Sequence, residues 1–364
     1  MTASSDDTRH MARALQLARS GLYGTSPNPR VGCVLVREGE VVGEGYHARA
    51  GEPHAEVLAL RMAGSKARGA SAYVTLEPCS HHGRTPPCAD ALIDAGVSRV
   101  VIAIEDPDPR VSGSGISRLR AAGIPVETGL LAPESRELNE GFFHRHRTGR
   151  PWLRCKLAMS LDGRTAMASG ESRWITGDAA RLDVQRLRAR SCAVLTGVGT
   201  VRQDDPRLDV REGVPEPIRQ PLRVILDSTL LAAASARILS PPGQVLIACS
   251  RPDAGRRSAL ETAGAECLEL AGSEGRVDLA AVLSELAHRQ CNEVLLEAGA
   301  TLSGAFASAG LIDEYVVYVA PVLLGSRARP MLELPFERME QKLGLRISDI
   351  TPIGQDWRIC ARPA

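Results

Sequence analysis

The chain has 364 residues, enough for two domains that each bury their own core, and its 44 Lys+Arg against 43 Asp+Glu leave no global field to draw in nucleic acid. Nine cysteines at scattered spacings argue against a disulfide framework. The start, Met1 to His10, lacks the apolar stretch of a signal peptide, and no apolar run nears the roughly 20 residues that span a bilayer, so a cytoplasmic protein without membrane contact is expected.

In chain order, Asp7 reads as the N-cap of a helix through Ser20, stopped by Gly21, with Met11, Leu15 and Ala18 on one face. Val31 to Val36 and Val41 to Tyr46 flank Glu38-Gly39-Glu40 as a hairpin. A helix follows from His54, with Pro53 as an N1-type proline, then a strand near Ala72 to Leu76 and a helix from Cys88 to Ala95. Arg99 to Ile104 and Ile124 to Thr128 read as strands around a helix from Ser114 to Ala122. Strands alternating with helices predict an α/β sandwich.

This first half holds the clearest chemistry. Pro53-His54-Ala55-Glu56, Pro78-Cys79 and Cys88 offer one imidazole, two thiolates and a carboxylate that need not bind metal. That is the set a zinc deaminase uses: three protein ligands leave an open position where water becomes acidic, and the Glu of H-x-E moves the proton to the departing amine. Residues two apart point to opposite sides of a regular helix, so His54 and Glu56 converge only in its first turn. Otherwise Cys79 and Cys88 would be ordinary buried cysteines and His54 a surface histidine. The order of the motifs on strand–helix junctions favours the metal. The spacing departs from P-C-x-x-C, because eight residues, Ser80 to Pro87, separate the cysteines.

The segment Asn139 to Arg150, rich in charge and histidine, reads as a hinge, with His144 and His146 as solvated or inter-domain groups. Beyond it, strands are expected at Trp152 to Ala158, Ala193 to Thr196, Leu222 to Leu226, Val245 to Ala248 and Val294 to Leu296. Helices are expected at Asp178 to Arg190, Asp278 to Arg289 and Thr301 to Ala309. Three spots look functional: Lys156 on its strand, the polar loop Gly199 to Leu208, and Glu297-Ala298-Gly299-Ala300-Thr301-Leu302 running from a strand into a helix. A small-residue turn at a helix N-terminus can cradle phosphate, and with no G-x-G-x-x-G after a strand a Rossmann domain is not expected. Lys156 reads equally as a donor to substrate and as a strand-edge charge.

Pro27-Asn28-Pro29, Gly45-Tyr46-His47, Gly51-Glu52-Pro53-His54-Ala55-Glu56 and the run from Leu76-Glu77-Pro78-Cys79 through Ser80-His81-His82-Gly83-Arg84-Thr85-Pro86-Pro87 to Cys88 resemble the bifunctional deaminase–reductase family of riboflavin biosynthesis, whose own pattern has the long cysteine spacing. The resemblance runs over nearly the whole chain. It implies a cytidine-deaminase-like α/β/α sandwich over 1–148, followed by a dihydrofolate-reductase-like α/β domain over 149–364. It implies zinc on His54, Cys79 and Cys88 with Glu56 catalytic, and Asn28, His47, His81 and Arg84 on substrate; some relatives place Lys where Arg84 stands. In the second half it implies NADPH contacts at Ala158, Trp174, Thr200, Asp204 and Ser228. The turn Gly299, Ala300, Thr301, Leu302, Ser303, Gly304 and Ala305 is similar to the rest of that cofactor site. Ser172, Arg188, Leu208, Arg211 and Glu297 are similar to the family's substrate contacts, and Arg suits a sugar phosphate because its guanidinium is a fixed fork.

The expected activity is hydrolytic deamination of 2,5-diamino-6-(5-phosphoribosylamino)pyrimidin-4(3H)-one, then reduction of the ribosyl chain of the resulting uracil to ribityl. The partners are these small molecules, and the family suggests a homo-oligomer, dimer or tetramer. A nucleobase or nucleoside deaminase with a diverted reductase half is the alternative within the class. A nucleic-acid editing module is the rival outside it, and it is disfavoured by neutral charge and by only 12 aromatic residues, Phe 4, Trp 3 and Tyr 5.

Overall fold

The structure is a computed structural model that describes residues 4–80, 87–216 and 218–364. It forms two compact units, Met1–Gly149 and Arg150–Ala364.

The first unit contains α1 (Ser5–Arg19), β1 (Gly32–Arg37), β2 (Glu40–Tyr46), α2 (Ala55–Ala63), β3 (Ser71–Val74) and α3 (Cys88–Ala95). It continues with β4 (Arg99–Ile102), α4 (Ser114–Ala121), β5 (Val126–Thr128), α5 (Ala132–Leu138) and α6 (Glu140–Thr148). The sheet order is β2-β1-β3-β4-β5, with β3, β4 and β5 parallel. One face takes α1, where Met11 and Ala14 pack on Val34, Tyr73 and Val101. The other takes α2, α3 and α4, where Ala59, Leu92 and Ile116 pack on Cys33, Val74 and Ile102. Glycines let α2 settle close to the sheet: a Cβ at Gly43 would lie 2.2 Å from the Ala59 carbonyl oxygen, and one at Gly45 2.3 Å from that of Ala55. That approach fixes where the first turn of α2 points.

The N-cap of α1 is Ser4, not Asp7. The Ser4 hydroxyl accepts the Asp7 N–H and the Asp7 carboxylate accepts the Ser4 N–H, both at 3.1 Å, which closes a capping box. Asp7 turns inward, 2.8 Å from Arg99 and accepting from the Tyr73 hydroxyl at 2.6 Å. The Arg99 guanidinium holds the Asp7 carboxyl far below the usual carboxylate range. A depressed pKa in the fold adds stability above the unfolded value of about 3.9, and that contribution is lost as pH falls further. Asp7→Asn is therefore expected to cost roughly 1–3 kcal/mol at neutral pH, with the deficit against wild type shrinking in acid. Denaturant melts over a pH series check this, and an equal deficit at all pH values would remove the ion pair from the account.

The segment expected to be a hinge is helical through Thr148 as α6, ended by Gly149, and the two compact units divide directly after that glycine. Phe142 and Phe143 are buried among its histidines and arginines, and His144 is buried too. Asn139 is 1% exposed; its side chain accepts the Arg30 N–H at 2.7 Å and donates to the Arg30 carbonyl at 2.9 Å. His146 packs edge-on to Phe142, 4.7 Å between ring centres.

The second unit runs β6 (Trp152–Ser160), β7 (Arg164–Ala166), α7 (Asp178–Arg190), β8 (Ala193–Gly197), α8 (Val198–Asp204), β9 (Leu222–Leu226), β10 (Val245–Cys249) and α9 (Ala254–Thr262). There follow β11 (Ala265–Glu269), α10 (Leu279–His288), β12 (Glu293–Leu296), α11 (Ala300–Ser308), β13 (Glu314–Ala320), β14 (Arg329–Pro330), β15 (Leu345–Ile353) and β16 (Asp356–Pro363). The main sheet is ordered β11-β10-β9-β8-β12-β6-β13-β16-β15. It is parallel from β11 to β13 and antiparallel at β16 and β15. Leu283, Leu286 and Phe306 of α10 and α11 cover one face. Val184, Leu187 and Leu260 of α7 and α9 cover the other. The stretch expected to be a polar loop after β8 begins as α8, because Val201 is buried and anchors a helical turn.

Two candidate active sites

In the first unit, β3 delivers Cys79 through Leu76-Glu77-Pro78, His54 caps α2, and Cys88 opens α3. Pro53 stands before the cap rather than at the first helical position. His54 Nδ1 lies 3.3 Å from Cys88 Sγ and 3.7 Å from Cys79 Sγ, and all three donor atoms fall within 4.8 Å of one another. A tetrahedral zinc with bonds of about 2.1 Å to N and 2.3 Å to S sets N–S separations near 3.6 Å, so the donor set fits that ion. The Cys88 N–H donates to Cys79 Sγ at 3.4 Å, placing the free end of α3 against a thiolate. The hydrogen bond from Cys88 holds the Cys79 thiol well below its ordinary range, while the same bond pushes Cys88 up.

Glu56, in the first turn of α2, is 3% exposed. Burial, aided by the Cys79 charge, pushes its carboxyl up to about 7, against the opposing pull of His54. Such a carboxyl both takes and gives a proton near neutrality. His47 packs edge-on to His54 at 5.1 Å between ring centres. Its Nδ1 lies 3.2 Å from the Pro53 carbonyl and its Nε2 3.1 Å from the Asn28 amide. Burial lowers the His47 pKa, which favours the neutral ring. His81 and Arg84 lie outside the described residues.

Sequence reasoning passed over three carboxylates beside this site. Glu77, directly before Pro78-Cys79, is buried and accepts the N–H groups of Asp106, Gly113, Gly115 and Ile116 at 2.9–3.2 Å. It ties the cysteine-bearing turn to the start of α4. Gly115 makes the approach possible, since a Cβ there would sit 2.0 Å from the Pro78 carbonyl oxygen. Asp106 and Asp108 are also buried, and burial pushes the Asp106 carboxyl up to about 7. Their position in the run E-D-P-D-P after β4 was the available signal.

In the second unit a cavity of about 1260 Å³ opens at the C-terminal ends of the parallel strands. Of the residues matched to a cofactor site, Ala158, Trp174, Thr200, Asp204 and Ser228 line it, as do Gly299, Ala300, Thr301, Leu302 and Ala305. Ser303 and Gly304 do not. Ser303 is fully buried, and a Cβ at Gly304 would meet the Glu333 carbonyl oxygen at 2.2 Å, so that face of α11 serves packing. Ser172, Arg188, Leu208, Arg211 and Glu297, matched to a substrate site, line the same cavity.

Arg188 grips Glu297 through two bonds, 2.6 and 3.0 Å. Burial pushes the Glu297 carboxyl up, but the Arg188 charge and bonds outweigh it and hold it below its ordinary value. Lys156 lines the cavity from β6, which pairs with β12 on one side and β13 on the other, so it is not a strand-edge charge. Burial and Arg188 lower its pKa, and Glu297 opposes them. Arg211 donates to Asp209 at 2.6 Å. Trp174, 70% exposed, stands at the cavity with the Arg181 guanidinium 4.5 Å from its ring centre.

Gly299 caps α11 with ordinary dihedrals, φ −72° and ψ 173°, and a Cβ there would meet nothing within 4 Å. The amides of the first turn of α11 thus open on clear space, a donor set that fits the phosphates of a dinucleotide.

Known proteins show the same division. Residues 4–104 match the family model of the cytidine and deoxycytidylate deaminase zinc-binding region, and residues 151–359 that of the RibD C-terminal domain. The riboflavin biosynthesis protein RibD of Escherichia coli (strain K12) is 51% identical over 361 residues, 96% of this chain and 97% of that protein. RibD of Bacillus amyloliquefaciens is 44% identical over 97% of this chain and 95% of its own length. A solved structure of Acinetobacter baumannii RibD superposes with a TM-score of 0.93 at 48% identity, covering 99% of both chains. The chain belongs to the RibD family, bifunctional enzymes of riboflavin biosynthesis that join a zinc-binding deaminase domain to a reductase domain that uses NADPH.

Proposed function

We propose that residues 1–148 deaminate 2,5-diamino-6-(5-phosphoribosylamino)pyrimidin-4(3H)-one and that residues 149–364 reduce the ribosyl chain of the resulting 5-amino-6-(5-phosphoribosylamino)uracil. A Thermotoga maritima structure whose title names these two activities is 32% identical over 99% of both chains, with a TM-score of 0.86. The observation that carries the reading is the convergence of His54, Cys79 and Cys88 around the buried carboxyl of Glu56.

His54, Cys79 and Cys88 would hold zinc, which when bound supplies Lewis acidity and brings the pKa of a water in its open position to about 7. Glu56 takes the proton from the attacking water and returns it to the departing amine. Asn28 and the neutral His47 ring orient the pyrimidine, and Glu77 keeps Cys79 in place. In the reductase half the amides at Gly299 to Leu302 take the cofactor phosphates, and NADPH when bound supplies the hydride. Arg211 meets the sugar phosphate. Arg188 fixes Glu297, and Lys156 donates a hydrogen bond to the sugar oxygen where charge develops.

Cys88→Ala tests the first half: zinc content and deamination should both fall to background while reduction of pre-deaminated substrate persists. Stoichiometric zinc in that variant would overturn the ligand set. Lys156→Met should lower kcat for reduction by about 100-fold, the usual cost of one lost donor to a developing charge, and Asp204→Ala should weaken reduction; both should spare deamination. Loss of both activities in a folded Asp204→Ala protein would argue for one composite site.

A homo-oligomer is part of this reading. The hairpin β15–β16, with β15 at the edge of the sheet, leaves Leu345, Ile347, Ile350 and Trp357 each about half exposed, an apolar surface that a second copy would cover. The cytoplasm fits nine cysteines that are all unpaired thiols. Among the described residues no helix is long and apolar enough to cross a membrane.

A further inference from the structure

The end of the reductase cavity away from Lys156 carries positive charge that the roles above leave unused. Three loops meet there. The N–H groups of Ser250 and Arg251 donate to the Ser228 carbonyl at 3.1 and 2.8 Å, and the Ser250 hydroxyl donates to the Gly275 carbonyl at 2.6 Å. These bonds gather the ends of β9 and β10 and the turn before α10 around Ser228. Arg276 and Arg237 line the cavity together with Ser228. Arg251 lies over Gly275, where a Cβ would fall 1.6 Å from its guanidinium, and Arg256 donates to the Thr229 carbonyl at 3.1 Å.

Four arginines thus stand on or beside the loops that meet at Ser228, and two acids of those loops are committed elsewhere, while Glu274 is exposed. Asp253 and Asp278 cap α9 and α10 by accepting backbone N–H groups. Among the described residues, no ion pair or side-chain hydrogen bond engages the guanidinium of Arg237 or Arg276. Unneutralised cations at close quarters repel, and an anion between them relieves that repulsion.

The place of this cluster decides which anion. The sheet order β9-β8-β12-β6 sets Ser228 three strand spacings, about 14 Å, from Lys156 and Ala158 on β6, with the phosphate cradle of α11 between. The adenosine half of an extended dinucleotide falls there, and Val277 and Leu279 give it an apolar wall. An enzyme that takes NADH holds the free ribose diol with an acid at such a strand end. Here the acid after β9, Asp227, is 1% exposed, accepts the Ala232 N–H at 2.8 Å, and is absent from the cavity wall.

We propose that Arg276, with the Ser228 hydroxyl, grips the 2′-phosphate of the adenosine ribose and sets the preference for NADPH over NADH. Arg276 is the anchor rather than Arg237, because the Arg237 backbone already lies on the Asp205 carboxylate at 2.8 Å, where negative charge attenuates its pull. The inference rests on the reading of the cavity as the NADPH site.

Calorimetric titration of the full-length protein with NADPH, NADH, 2′,5′-ADP and 5′-AMP tests it. Wild type should prefer NADPH to NADH and 2′,5′-ADP to 5′-AMP. Arg276→Ala should weaken NADPH and 2′,5′-ADP by about tenfold or more, leave NADH and 5′-AMP within about twofold, and melt like wild type. Arg276→Lys should recover part of the loss, since a point charge meets phosphate without the fork. Undiminished selectivity in Arg276→Ala, or equal losses for NADPH and NADH, would overturn the assignment. Selectivity that disappears in Arg237→Ala and survives in Arg276→Ala would overturn it in favour of the other arginine. A wild type that binds neither dinucleotide would instead sink the reading of the cavity itself.

Discussion

Glu56→Gln is expected to lower deamination by about three orders of magnitude or more while the protein keeps its zinc, because the three ligands stay in place and only the proton carrier is lost. The side chain is buried in the first turn of α2, and the amide matches the carboxylate in shape, so the fold has no reason to change. Ammonia release and elemental analysis of the same preparation read the two quantities side by side. Near-normal deamination in this variant would remove Glu56 from the chemistry. Reduction of pre-deaminated substrate should be untouched.

Gly299→Val is the second large effect, an expected loss of roughly 100-fold in NADPH affinity from the exclusion of a well-placed phosphate contact. The dihedrals of Gly299 suit any residue, so its backbone does not require glycine. The space a Cβ would enter is the open cavity, which leaves ligand approach as the physical reason for glycine there. If Gly299 merely ended a strand, the variant would melt earlier and the folded remainder would bind NADPH normally. Titration beside a thermal melt separates the two, and zinc content should not move in either case.

How far the sequence carried depended on whether a signal was local. The helices Cys88–Ala95 and Asp178–Arg190 were legible to the residue, and His54, Cys79 and Cys88 stood out because H-x-E and P-C fall in order on strand–helix junctions. The misread segments are those where tertiary burial overrides local polarity. Phe142 and Phe143 lie buried in α6 among histidines and arginines that suggest a linker, and one buried valine makes α8 from residues that read as a loop. Asp7 looked like a cap because its inward partners, Tyr73 and Arg99, are remote in sequence. The β15–β16 hairpin escaped because its apolar residues face outward and follow no core pattern. In the reductase half Glu297 stood in a run from a strand into a helix that looked functional by itself, whereas Arg188 rested mainly on resemblance and Ser172 carried no local signal. Glu77, Asp106 and Asp108 act through folded neighbours and were unread for the same reason.

The central claim, two successive chemistries on one chain, is tested most directly by mass spectrometry of the product formed from the diaminopyrimidine ribosyl phosphate by zinc-loaded protein, with and without NADPH. Without NADPH the product should have exchanged one amino group for oxygen and nothing more. With NADPH it should in addition have gained two hydrogens on the sugar chain. A substrate that returns unchanged from the zinc-loaded protein, or a deaminated product that gains no hydrogen in the presence of NADPH, would contradict the account.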